Sequence, residues 1–341
     1  MGRGADELHI VLPGLFTPPP EVKPEHLPRL PALEHLLARA WKRQGPSGGL
    51  EATLCALFGI EVSPQGNLPT APFARLAEGG EPDDACWLHA DPIFLRPDQD
   101  RVLLFDASVL ALEPEEAAEF ITLFNEHFSD DGFTLEAGTT EHWYLRCEKE
   151  PEVHFHPLTE VMGRTVTPFL PEGPQARQWR SLLNETQMLF FQAEINQRRE
   201  VQGRLPLGGV WFHGPGRLAH VANIYWRRVV ATNPLAMGLA MNVGAEIVSD
   251  MENYSKLPSG PILYVFGELA RAALDVDAEN WFRVLKEQER FFAENIKSGV
   301  RGQAKIFLYP GDGTCRIYDR RSKRRFWLRR RALSRYWKKA G

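Results

Sequence analysis

Asn196-Gln-Arg-Arg-Glu-Val-Gln-Gly203-Arg-Leu-Pro206, followed after three residues by Val210-Trp-Phe-His-Gly-Pro-Gly216, is the stretch that decides the fold. It reads as a helix end, a turn and a short apolar strand closed by two glycines around a proline. Upstream, Pro174 to Gln202 reads as one long helix whose apolar side is Trp179, Leu182, Leu183, Met188, Leu189 and Ile195. Downstream, helices and strands alternate: a helix from Pro234 to Asn242, strands at Glu246–Val248 and Ile262–Phe266, a helix from Ala278 to Lys297, and a strand at Lys305–Leu308. Such alternation predicts an α/β fold with a mainly parallel sheet and helices on both faces.

The N-terminal third fits the same plan. Leu8-His-Ile-Val-Leu12, ended by Pro13-Gly14, reads as a buried strand. A helix is expected from Ala32 to Arg43, with Leu33, Leu36, Leu37 and Trp41 on one face. A second runs from Glu51 to Phe58, with Gly59 as its C-cap. From about Ala85 to Cys147 the pattern changes. Strands at Ile93–Leu95, Arg101–Phe105, Phe133–Glu136 and Trp143–Arg146 surround a helix at Pro114–Phe128. Proline near its first turn and acids at its N-terminus suit that helix. The expected organisation is a discontinuous α/β domain (1–84 and 151–315), an inserted small α+β domain (85–150) and a C-terminal tail (316–341).

Composition bounds the function. Of 341 residues, 43% are hydrophobic and 25% charged, as in a globular protein. No apolar run reaches the roughly 20 residues that cross a bilayer, and the N-terminal Met1-Gly-Arg-Gly-Ala-Asp-Glu7 carries no cleavable apolar stretch. The expectation is a cytoplasmic, bacterial protein. Cys55, Cys86, Cys147 and Cys315 form no CxxC pair, so buried thiols are expected rather than a zinc site. The tail from Arg316 holds 12 Lys/Arg and one acid, Asp319, whereas the rest of the chain carries 28 basic and 43 acidic residues.

The opening stretch resembles the archaeal-type cofactor-independent phosphoglycerate mutases of the alkaline phosphatase superfamily, whose pattern is N-x-x-R-x-x-x-G-K-x-P-A-N-x-I-W-x-W-G-x-G. Asn196, Arg199, Gly203, Pro206, Trp211, Gly214 and Gly216 fall in register with it. Phe169-Leu-Pro171-Glu-Gly173 resembles the family's Y-L-P-x-G, and the inserted unit sits where that family has one. The chain looks closest to a degenerate bacterial branch called Rpf-type regulatory proteins.

The resemblance implies an alkaline-phosphatase-like fold, two divalent cations and a Ser or Thr nucleophile. Metals would neutralise phosphoryl oxygens and activate the nucleophile. Here the implied residues are mostly gone. The first strand ends Leu12-Pro13-Gly14 where the family has Asp-Gly. Leu50 and Glu51 stand at the Ser-Asp positions. Glu268 remains of a D-x-x-x-H segment, and Asp312 of a D-H pair whose His is Gly313. Two scattered acids do not make a dinuclear site. The sequence therefore predicts no metal, no cofactor and a non-catalytic regulatory protein. The alternatives are a phosphomutase or phosphohydrolase with an altered site, and a nucleic-acid-associated factor.

Candidate ligand contacts, for a phosphorylated small molecule, are Asn196, Arg199, Trp211, Gly214, Gly216 and Asp312. The Arg199 fork suits phosphate or carboxylate, and the resemblance puts it near a sugar-phosphate site; a brace for the following turn is the plainer reading. His154-Phe-His156 would place two imidazoles on one strand face, a weak metal pair and more simply a hydrogen-bonded one. In the tail, Arg324, Arg325, Trp327, Arg329, Arg330 and Arg331 are candidate contacts to a protein or nucleic-acid partner. Cations grip phosphates and aromatics stack on unpaired bases. The same tail also suits an anionic membrane surface or packing on its own acidic body.

Overall fold

The computed structural model describes residues 7–221, 225–249, 260–301 and 305–337, with side chains at 295–301 left aside. Residues 1–6 of the N-terminus and Lys338 and Lys339 of the basic tail lie outside the described residues. The chain forms two compact units: residues 1–59 with 221–341, and residues 60–220.

The first unit begins with β1 (Glu7–Val11), α1 (Pro31–Arg39), β2 (Trp41–Ser47) and α2 (Gly49–Phe58). The second contains α3 (Ala71–Ala77), β3 (Cys86–Asp98), β4 (Arg101–Asp106), α4 (Pro114–Phe128), β5 (Thr134–Ala137), β6 (Trp143–Cys147), α5 (Leu158–Val161), α6 (Ala176–Gln192), α7 (Glu194–Val201) and β7 (Gly209–Gly216). The chain then completes the first unit with β8 (Arg228–Val230), α8 (Pro234–Asn242), β9 (Glu246–Val248), β10 (Ile262–Val265), α9 (Glu268–Leu274), α10 (Ala278–Arg301), β11 (Lys305–Tyr309), β12 (Asp312–Tyr318) and α11 (Arg320–Lys323).

The first unit is the expected α/β architecture. Its sheet runs β2-β12-β11-β1-β10-β8-β9. β11, β1, β10, β8 and β9 are parallel, while β12 and β2 join antiparallel at one edge. Alternation along the strands makes the core: Leu8, Ile10, Ile262, Tyr264, Ile306 and Leu308 share a cluster with Leu33, Leu36 and Leu37 of α1 and Trp281, Leu285 and Phe292 of α10. The second unit is an antiparallel sheet, β4-β3-β6-β5, with β7 added against β3. α4 and α6 cover one face with Phe120, Phe124, Trp179, Leu182 and Phe190.

Several expectations change. The boundaries fall at 59/60 and 220/221 rather than at 84/85 and 150/151. β7 pairs with β3 from Trp87 to Ile93, so the Val210–Gly216 strand belongs to the antiparallel sheet and not to the parallel one, and α3 packs on that sheet through Ala71 and Ala74, which brings residues 60–84 with it. The long helix breaks at Ala193, whose backbone is extended (φ −66°, ψ 135°). Asn196 Nδ2 donates to the Phe190 carbonyl there, taking an acceptor that would otherwise continue the helix. Met188, placed on the apolar side by periodicity, is exposed. The first helix stops at Arg39, and Trp41 instead opens edge strand β2. The tail is only partly a tail. Arg316–Tyr318 are in β12, and Leu333 is fully buried in the core of the first unit. Among the described residues no helix is long and apolar enough to cross a membrane.

Candidate functional site

In an α/β sheet the usual ligand site lies beyond the carboxyl ends of the parallel strands. Here four loops meet there. β1 runs into Pro13-Gly14, with Leu12 N bonded to Tyr309 O of β11 and Phe266 N, just after β10, bonded to Val11 O. Gly14 has φ +86°, and a Cβ on it would stand 2.5 Å from Ala270 N, so the loop lies directly on the α9 backbone. A Cβ on Gly311 would stand 3.1 Å from Pro13 Cβ and 3.7 Å from Gly49 Cα; one on Gly267 would stand 3.5 Å from Leu50 Cδ2. The backbone frame of a strand-end site is thus assembled, with glycines at its contact points.

The side chains on that frame are not those of a metal-phosphate site. Pro13 and half-buried Leu50 offer no ligand or nucleophilic atom. Glu268 opens α9. Asp312 Oδ1 accepts from Thr314 N at 3.0 Å and from Thr314 Oγ1 at 2.6 Å, closing the turn into β12. Among the described residues no group of three metal-ligating side chains gathers at these strand ends.

The other ligand candidates lie in the second unit, where they brace structure. Asn196 is buried, donates through Nδ2 to the carbonyls of Phe190 (2.8 Å) and Leu207 (2.9 Å), and accepts from Leu207 N (2.8 Å). Arg199 is 0% exposed. Its Nε donates to Leu205 O at 3.0 Å, Nη2 to Leu110 O at 2.6 Å, and Nη1 pairs with Glu116, which also holds Arg204. Both are buried and internally satisfied, the arrangement that a brace for the turn requires. Trp211 is buried with Nε1 donating to His156 O. Gly214 and Gly216 are required by packing: a Cβ on either would overlap Thr70 Oγ1 or Pro69 Cβ. His154 and His156 are hydrogen-bonded separately, to Gln65 O and Glu160.

Sequence reasoning missed a polar layer on the α3-covered face of the second sheet. His89 and Asp91 alternate on β3, and His213 lies opposite His89 on β7. His213 Nε2 donates to Asp91 Oδ2 at 2.9 Å, and the two imidazoles stack with centroids 4.4 Å apart. Burial, reinforced by His213, drives His89 down to about 3 against the pull of Asp91. Beside it, Tyr144 OH donates to Glu78 Oε2 (2.7 Å), and His142 Nδ1 donates to Glu78 Oε1 (2.6 Å). The His-x-Asp alternation was a visible signal; its partner 122 residues away was not.

For His142, burial opposes the charged form, but the hydrogen bond to Glu78 and the charges of Asp91, Glu78 and Glu141 outweigh it and raise the pKa to about 9. A raised histidine pKa contributes stability that is fully present below 6.5, its unfolded value, and is lost as pH rises through about 9. Urea unfolding midpoints are expected to fall across that window. In Glu78→Gln, the NMR titration of His142 is expected to move down towards its ordinary range.

The tail ends in an exposed patch. Arg325 lies over the Trp41 ring at 4.2 Å and donates to Arg39 O. Phe326 and Trp327 are 75% and 64% exposed and form an edge-on pair. Arg324, Arg329, Arg330 and Arg331 are exposed around them, as are Lys42 and Arg43 on β2.

No family model matches the chain. It is distantly similar to a probable 2,3-bisphosphoglycerate-independent phosphoglycerate mutase of Geobacter sulfurreducens, 21% identical over 220 residues, which are 62% of this chain and 54% of the relative. The chain thus spans about half the length of the curated relative it matches. Among solved structures it shares its fold with the PH0037 protein of Pyrococcus horikoshii, at a TM-score of 0.57 and 13% identity, covering 93% of this chain and 88% of that one. A cofactor-independent phosphoglycerate mutase of Thermoplasma acidophilum is similar at a TM-score of 0.44 and 15% identity, over 92% and 90% of the two chains.

Proposed function

We propose that the chain is a non-catalytic, phosphoglycerate-mutase-like protein on an alkaline-phosphatase-type scaffold, of the Rpf-type regulatory branch, that works by binding a polyanionic partner in the bacterial cytoplasm. One observation carries the reading. The strand-end loops of the first unit meet as a site would need, yet present Pro13, Leu50, Gly267 and Gly311 to one another. Phosphoryl transfer needs cations to neutralise its charge and an oxygen nucleophile, and neither requirement is met by these groups. An altered metal hydrolase built on Asp312 is less well supported, because among the described residues no group of three metal-ligating side chains includes it.

The partner is read from the exposed end of the first unit. Arg324, Arg329, Arg330 and Arg331 supply phosphate contacts, and Phe326 and Trp327 supply faces for unpaired bases. Single-stranded nucleic acid fits that combination best. Fluorescence anisotropy with a labelled single-stranded oligonucleotide tests it. Binding is expected to weaken steeply with salt and to fall about 10-fold or more in the Phe326→Ala, Trp327→Ala double variant, on the usual worth of base–aromatic stacking. Binding that ignores both changes would contradict the assignment.

A further inference from the structure

We infer that His89, Asp91 and His213 form a binding site for one divalent transition-metal cation, buried inside the second unit. The three side chains project from neighbouring strands β3 and β7 onto one face, because His89 and Asp91 are two residues apart and His213 is registered directly against His89. Each offers a ligand atom, and all three atoms lie within 4.8 Å of one another. His213 Nε2 is 2.9 Å and His89 Nδ1 3.9 Å from the Asp91 carboxylate. A zinc ion with bonds of about 2.0–2.2 Å holds its ligand atoms roughly 3.4 Å apart. The two spacings to the Asp91 carboxylate bracket that value.

The second observation is the set of unpaired atoms at this spot. His89 Nδ1, Asp91 Oδ1, His213 Nδ1 and Thr70 Oγ1 are all buried without a hydrogen-bond partner. Asp91, His213 and Thr70 are themselves 5%, 4% and 1% exposed. Buried polar groups are rarely left unpaired, and two of these atoms, His89 Nδ1 and Asp91 Oδ1, stand 3.9 Å apart with neither hydrogen-bonded. A cation between them satisfies the His89 nitrogen and the carboxylate together, within reach of His213 Nε2, which is 2.9 Å from that carboxylate. Gly214 lets Thr70 and His89 pack closely here: a Cβ there would overlap Thr70 Oγ1 and stand 3.1 Å from His89 Cδ2. Two imidazoles and one carboxylate favour zinc or iron(II) over calcium or magnesium, which take oxygen ligands. Held under α3, with Trp87 and Tyr144 on the same face, the ion would tie β7 to β3 and so join residues 209–216 to the rest of that sheet.

The experiment uses the full chain, freed of metal by chelator and titrated with Zn2+ against a chromophoric competitor, and with Co2+ followed by its visible ligand-field bands. One equivalent per chain and tetrahedral or five-coordinate Co2+ bands are expected, with a rise in the thermal midpoint on loading. Asp91→Asn and His213→Gln should abolish the stoichiometric site while circular dichroism reports a folded chain, and Asp312→Asn, in the other unit, should leave it intact. Should the ligand variants not fold, NMR of the unaltered chain decides, the His89 and His213 ring resonances being expected to shift on loading Zn2+ to one equivalent. No binding of either ion by the folded unaltered chain, or full binding by both ligand variants, would overturn the site.

Discussion

Replacing Arg199 with alanine is expected to lower the stability of the chain by about 3–5 kcal/mol, the range for breaking a buried ion pair from one side. The guanidinium is wholly buried and bonded to the carbonyls of Leu205 and Leu110 and to Glu116. Its removal takes the donor from two carbonyls and one of two cations from Glu116, and unpaired buried groups cost more than the bonds they lose. Arg204 also contacts Glu116, at 2.9 Å, and keeps the loss from being larger. Urea denaturation followed by tryptophan fluorescence measures the change. A ligand-contact role predicts the opposite pattern, a stable variant with weakened phosphate binding, so an Arg199→Ala protein of unaltered stability would sink the bracing role.

The second large effect is expected at Gly14. Its φ of +86° is strained for any residue with a Cβ, and that Cβ would press on Ala270 N at 2.5 Å, Leu269 C at 2.6 Å and Ala270 Cα at 2.7 Å. These are backbone atoms of α9 and cannot swing aside. Strain of this kind and overpacking each cost about 1–3 kcal/mol, so Gly14→Ala should destabilise by about 3 kcal/mol. Gly49→Ala is the comparison: it shares the positive φ (+81°) but meets nothing within 4 Å, so only the conformational part of the cost remains. Equal losses at the two positions would show that the packing of the β1 loop on α9 is not what Gly14 serves.

Periodicity found most of the elements. Strand β1, the α2 helix with Gly59 in a left-handed C-cap, and α4 with its Glu113–Glu116 capping box all lie where local signals place them. What the sequence hid was pairing. Nothing in Val210-Trp-Phe-His213 says that its neighbour is β3 rather than a parallel strand, since both environments bury every residue. Trp41-Lys-Arg-Gln-Gly-Pro reads as a helix end because its partner β12 lies some 270 residues on, in a segment whose charge suggested a free tail. The strand-end site was the more legible part. Pro13, Leu50 and Gly313 could be read as departures from the resembled motifs alone, and Gly311, Pro13, Gly49, Leu50 and Gly267 do meet. Asn196 and Arg199 match the resembled motif's letters, and both are buried and bonded within the chain. The His89–Asp91–His213 group was illegible because its third member is fixed only by strand register.

We propose that the strand-end frame of the first unit carries no phosphoryl-transfer chemistry. This is tested most directly by incubating the purified chain with Mn2+ and 3-phosphoglycerate and following 2-phosphoglycerate through enolase. The account predicts no formation above a protein-free control, with Mn2+ or Zn2+ present, since Leu50 carries no nucleophile and Asp312 is held by Thr314. Metal-dependent conversion at the roughly 1–1,000 per second typical of enzymes would contradict it.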